Sequence, residues 1–234
     1  MDAPPPLLAR RLARVSFYSL LAFCSMGMTA FFVAWLMDFD FRFEDERERA
    51  IREFASAHRA TDLRFPGAAH QPVRSLGSNI RTFDLTSSAL SFVEQELDSA
   101  LVSDPGNSRL LFLRSQVYLL NLQPAPAIDI LERLRPFSPE DPAILGSLGY
   151  AHYVRGRADS QMGDLLRALD FFEKALSIAP EDPVLLFNTA IVYQRLGKRD
   201  EAQRHFQKVL DRDSTSGWAM EAKARMIQLT RGEP

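Results

Sequence analysis

Four histidines, a single cysteine and a scatter of serines and carboxylates are the side chains on which chemistry could rest. The histidines are His58, His70, His152 and His205. No two of them lie three or four residues apart and HExxH does not occur, so a metal site has no support. Cys24 stands alone in an apolar run, which excludes an intramolecular disulfide and a cysteine-based zinc site and gives no setting for a thiolate. GxGxxG and GxxxxGK[ST] are both missing. Gly146-Ser147-Leu148-Gly149 falls within a helical pattern, where Gly149 reads as a point of close packing. His152 likewise reads as a packing residue. A Ser–His–Asp triad depends on convergence in space, which spacing alone does not supply. The expectation is therefore of a protein that is not an enzyme, with no catalytic residue, cofactor or metal.

The apolar pattern carries more information than the polar residues do. In Pro183–Ser216, Leu186, Ala190 and Tyr193 fall at i, i+4 and i+7, one face of a helix. Gly197 is placed to end that helix in a left-handed conformation. Ala202, Phe206, Val209 and Leu210 form the face of a second helix. The order bulky, small, aromatic, Gly, Ala, Phe in a unit of about 34 residues resembles the tetratricopeptide repeat. One such hairpin has too little core to stand alone, so copies are expected upstream. Ser108–Asp141 is one, with Leu111, Ser115 and Tyr118, then Ala127, Leu131 and Leu134. Asn121 stands near its turn in place of glycine, and Pro124 and Pro126 lie at the start of its second helix, where proline is tolerated. Pro142–Asp182 is another, about seven residues longer, the excess lying near Arg157–Asp164 and reading as a surface loop between its helices or as a lip over one end of the array.

The resemblance covers roughly residues 86–230 and implies an all-α solenoid of helix-turn-helix repeats. Residues 86–107 read as a degenerate half repeat, 108–141, 142–182 and 183–216 as full repeats, 217–230 as a capping helix and 231–234 as a tail. The cap has Trp218, Ala219, Ala222, Met226, Ile227 and Leu229 on its apolar side and Glu221, Lys223, Arg225 and Gln228 on its outer side. In the family, the first helix of each repeat lines a concave groove. Carried over, the lining positions are Phe112, Gln116 and Leu119, then Gly146, Tyr150 and Tyr153, then Phe187, Asn188, Ile191, Gln194 and Arg195. Aromatic rings with amide side chains suit an extended or helical peptide, the rings giving buried area and the amides bonding to its backbone. Either a protein partner fills this groove or the chain's own linker covers it. The lysines of the carboxylate clamp found in some relatives are missing.

Upstream of the array, residues 1–14 form a short basic tail. Residues 15–37 contain no charge, and 23 helical residues reach about 34 Å, enough for a bilayer core of about 30 Å. Tyr18 and Trp35 sit near the two ends, as interfacial anchors do. The run is longer than a signal-peptide core and ends without a small-residue cleavage site. A single-pass transmembrane helix is expected, with Ala30 and Ala34 as a small-residue pair suited to a homodimer contact. Arg10, Arg11 and Arg14 favour a cytoplasmic N-terminus, which puts the array outside the cytoplasm, in the periplasm of a Gram-negative source. Residues 38–59 read as a juxtamembrane helix and 60–85 as an irregular linker. Charge is balanced, 28 Lys+Arg against 30 Asp+Glu, so nucleic acid is not an expected partner. The expected function is a membrane-anchored scaffold or adaptor that recruits a partner protein, or alternatively a permanent structural subunit of a membrane complex.

Overall fold

The computed structural model describes residues 46–56, 59, 61–66, 68, 80–158 and 161–231, with the backbone alone for 80–89. The expected membrane span over 15–37, its orientation and the Ala30/Ala34 contact lie outside these residues. None of the described helices is long and apolar enough to cross a membrane. Contacts divide the chain into two compact units, Met1–Arg47 and Glu48–Pro234.

Most of the described residues are helical, and none of them is in a strand. α1 covers residues 46–56. α2 is Ile80–Ser103, α3 Ser108–Leu120 and α4 Pro124–Leu134, the last followed by a 3-10 turn, Arg135–Phe137. α5 is Pro142–Ala158, α6 Met162–Ile178, α7 Pro183–Arg195, α8 Arg199–Arg212 and α9 Gly217–Arg231. From α2 onward each helix packs on the next, and α3 also touches α5, as α5 touches α7. The first helices of successive hairpins therefore line one face, with the second helices behind them. This is the layout of a solenoid of stacked helical hairpins.

Local signals place the helix ends. The Asn107 side chain accepts from the backbone N–H groups of Arg109 and Leu110, and Asp182 does the same for Val184 and Leu185. α4 and α7 begin on proline, whose missing N–H costs nothing there. Ser216 caps α9 by accepting from the Ala219 N–H. α7 closes at Gly197 with φ +74°, and the Lys198 N–H bonds back to the Tyr193 carbonyl. α3 closes in the same way, but the left-handed residue is Leu122 (φ +55°), not Asn121, which keeps φ −79°. Asn121 lies one position too early; Leu122 is the counterpart of Gly197.

Two further expectations are corrected. In the long repeat most of the described part of Arg157–Asp164 is helix, since one helix reaches Ala158 and the next begins at Met162. α5 and α6 are each 17 residues, against 13 in α7 and 14 in α8. The seven extra residues are added turns of helix. Asp164 fixes this extension from inside: it is 5% exposed, accepts two bonds from Arg155 at 2.9 and 2.7 Å, and lies 2.9 Å from His152 Nδ1. His152 stacks on Phe171, 5.4 Å between centroids. The second correction is α2, which begins at Ile80 inside the expected linker and runs 24 residues, well beyond a half repeat.

Candidate peptide groove

The face lined by α3, α5 and α7 is filled by the chain's own segment 59–68, whose described residues carry neither helix nor strand. Leu63, Phe65 and Ala68 are buried in the main core, and Thr61 and Asp62 are buried with them. Asn188 on α7 reads the main chain of this segment. Its Oδ1 accepts from the Arg64 N–H at 2.7 Å and its Nδ2 donates to the Arg64 carbonyl at 2.9 Å. That pair of bonds holds the backbone at Arg64 whatever side chain stands there.

The carboxylate of Asp62 is read separately. It accepts from the Tyr153 hydroxyl at 2.6 Å, from Arg195 at 2.7 Å and from Arg157 at 3.4 Å. Burial raises its pKa, but the bonds from Tyr153 and Arg195 outweigh that and keep the group below the ordinary carboxylate value. Asp62 in turn raises the pKa of Arg195, and burial raises that of the Tyr153 phenol, so all three keep the protonation states that bind. The Thr61 hydroxyl lies 2.8 Å from the Tyr150 hydroxyl, and Phe65 meets the Tyr150 ring edge to face at 5.9 Å.

α9 closes the far end. The Arg59 guanidinium stacks over Trp218 at 4.5 Å and donates to both carboxylate oxygens of Glu221. It also donates to the carbonyls of Thr61 and Asp62, at 3.1 and 2.7 Å. Burial raises the pKa of Glu221, but Arg59 and Arg225 hold it below its usual value. The Trp218 indole N–H points to the Ala68 carbonyl at 3.4 Å. Glu221 and Arg225, expected on the outer side of the cap, instead face inward: Arg225 joins Glu221 to the Gln194 side chain.

The lining positions divide accordingly. Tyr150, Tyr153, Asn188 and Arg195 grip the segment. Gln116 and Leu119 line an adjoining cleft of about 280 Å³, bounded by Phe65 and Pro66 and floored in part by Gly146. Gln116 is held by the Ser147 hydroxyl at 3.0 Å. Phe112 is turned away, packed on the cluster of Leu131, Leu134, Ile144 and Leu148, where a ring buries more area between hairpins. Phe187 meets Phe206 and Trp218 edge to face, at 5.6 and 5.2 Å, and so joins the hairpin to the cap. Ile191 is wholly buried in the core. Sequence reasoning missed Arg59, Thr61, Asp62, Phe65 and Trp218 as groove residues. The one signal was the i, i+2 spacing of Leu63 and Phe65, a period of extended chain inside a stretch otherwise read as irregular.

Comparison with known proteins agrees with the stacked helical hairpins. Residues 151–215 match the tetratricopeptide repeat family model, and the hairpins there are tetratricopeptide repeats. A thermophilic TPR protein of Thermus thermophilus superposes with a TM-score of 0.53 over 64% of this chain and 78% of its own, at 19% identity. Human IFIT1, solved as a dimer with PPP-AAAA, superposes with a TM-score of 0.54 over 64% of this chain and 36% of its own, at 14% identity. These likenesses establish the fold alone. No curated protein matches the sequence.

Proposed function

We propose that this tetratricopeptide-repeat protein is a non-catalytic, membrane-anchored scaffold whose groove recruits a partner protein by gripping a non-helical segment of it. The observation that carries the reading is Asn188, which bonds both the N–H and the carbonyl of one residue of a non-helical chain. Tyr150, Tyr153 and Arg195 add side-chain selection around that backbone contact. The anchor in this reading is the 23-residue uncharged run over 15–37, and Arg10, Arg11 and Arg14 before it favour the array on the extracytoplasmic side. Confinement at a bilayer raises the local concentration of a captured partner without new contacts.

The test is crosslinking of the full chain in membranes, followed by identification of what is attached. Asn188→Ala with Arg195→Ala is expected to lower capture at least tenfold while helical content by circular dichroism stays unchanged. The filled groove favours a second reading, a permanent subunit that uses its other faces. In that case a stoichiometric, salt-resistant complex survives both substitutions.

A further inference from the structure

We propose that residues 59–68 are a placeholder: a tethered internal ligand that closes the groove until a partner segment displaces it. The displacing segment is non-helical and carries an acidic side chain three residues before an aromatic one. This rests on the groove reading above and adds its regulation and the chemistry of the partner.

The contacts to the segment are of a recognition kind. Asn188 reads backbone only, Arg195 and Tyr153 read a carboxylate, and Tyr150 reads a hydroxyl and a ring edge. The same four side chains would accept any chain with an acid and an aromatic at the spacing of Asp62 and Phe65.

The internal ligand also fits imperfectly. Arg64 Nε and Nη1 are buried without a hydrogen-bond partner among the described residues, although the guanidinium makes a cation–π contact with the Trp218 ring at 5.1 Å. Burial lowers its pKa, opposed only in part by the charges of Asp182 and Asp213. A ligand with an uncharged residue at that place avoids this desolvation. A tether makes a weak fit sufficient, since a short linker presents its ligand at an effective concentration of about millimolar. The partner's apparent affinity is then reduced by the fraction of time the groove is open. The cleft beside Phe65 and Pro66 adjoins the occupied track and gives an incoming chain a first foothold.

The test uses the full chain and a fluorescein-labelled peptide with the sequence of residues 59–68. The unmodified chain should bind it weakly. Asp62→Ala in the chain, which leaves Tyr150, Tyr153, Asn188 and Arg195 intact, should bind it at least tenfold more tightly. Arg64→Met in the chain should bind it several-fold more weakly. Equal binding by all three overturns the proposal. Hydrogen exchange on the unmodified chain gives a readout free of folding artefacts. The Arg64 amide should exchange at least 100-fold faster than amides at the centres of α5 and α7, and faster still in excess peptide. Exchange at the rate of those helices, unmoved by peptide, overturns it. If Asn188→Ala abolishes partner capture in membranes and Asp62→Ala leaves it unchanged, the groove function stands and the placeholder falls. If Asn188→Ala also leaves capture unchanged, the groove function itself falls.

Discussion

Leu122 holds a backbone conformation that a branched side chain disfavours, at a turn where the last full repeat places Gly197. The left-handed region costs an L-residue roughly 1–2 kcal/mol. Leu122→Gly is therefore expected to raise stability by about 1 kcal/mol, read as a higher urea midpoint with an unchanged m-value. Asp164 makes the opposite case. Asp164→Asn removes the charge that holds Arg155 and His152, and a loss of about 2–3 kcal/mol is expected in the same measurement. Bonds from Arg155 bring its carboxyl down to about 2, against nearly 4 in an unfolded chain. A group depressed on folding stabilises above its unfolded value, so this contribution is full above about pH 4. It is lost as pH falls towards 2, with a total of roughly 2 kcal/mol. His152 starts the decline earlier. Burial lowers its pKa, against the pull of Asp164 and with the repulsion of Arg155 and Arg167, so the unfolded chain takes the proton first below about pH 6.5. Denaturation curves across pH 7 to 2 should show both phases, and Asp164→Asn should flatten the lower one. His152 was legible as a packing residue from its place on the helical face. Its bond to Asp164 was not, because the carboxylate lies in a stretch whose Ser, Gly and Asp read as loop.

At the scale of elements, the same stretch shows where periodicity stops deciding. RADSQMGD has the composition of a loop, yet most of it continues two helices, because Arg155 and His152 satisfy Asp164. Gly156 makes the close turn possible: a Cβ there would come within 3.1 Å of the Gln161 carbonyl and the Leu165 nitrogen. Backbone atoms do not yield as side chains do, so Gly156→Ala is expected to cost about 1–3 kcal/mol by urea denaturation. The hairpins themselves were readable from Leu186, Ala190, Tyr193, Ala202 and Phe206, all buried where their spacing put them. The capping helix was half readable. Its Trp218, Ala219, Ala222 and Leu229 are buried, but Ile227 is exposed, and Glu221 faces Arg59. A charged residue assigned to solvent by helix pattern alone was claimed by a segment 162 residues earlier, which no local pattern encodes. Trp218→Ala removes the edge-to-face partner of Phe187 and the stacking surface of Arg59, and a loss of about 3–5 kcal/mol is expected.

For the unit from Glu48 onward, the segment changes how the array should unfold. A plain solenoid has contacts only between neighbours and melts piecewise. Here residues 59–68 bond to α5, α7 and α9 at once, through Tyr150, Asn188 and Glu221. Arg59→Ala breaks the bond to the cap, and calorimetry should then show α9 melting in a separate, earlier step, where the intact chain gives one transition. The repeat architecture was written in periodicity and turn residues. The closure of its groove stood there only as one of two alternatives, since deciding it depends on side chains that converge from opposite ends of the unit.

That separation also has a temporal side. Arg59 leaves the ribosome 162 residues before Glu221. At about 5–20 residues per second, it waits roughly 10–30 s for its counterpart. During that interval Leu63 and Phe65 have no finished cradle, and the nascent chain exposes to chaperones the peptide that it will later hide.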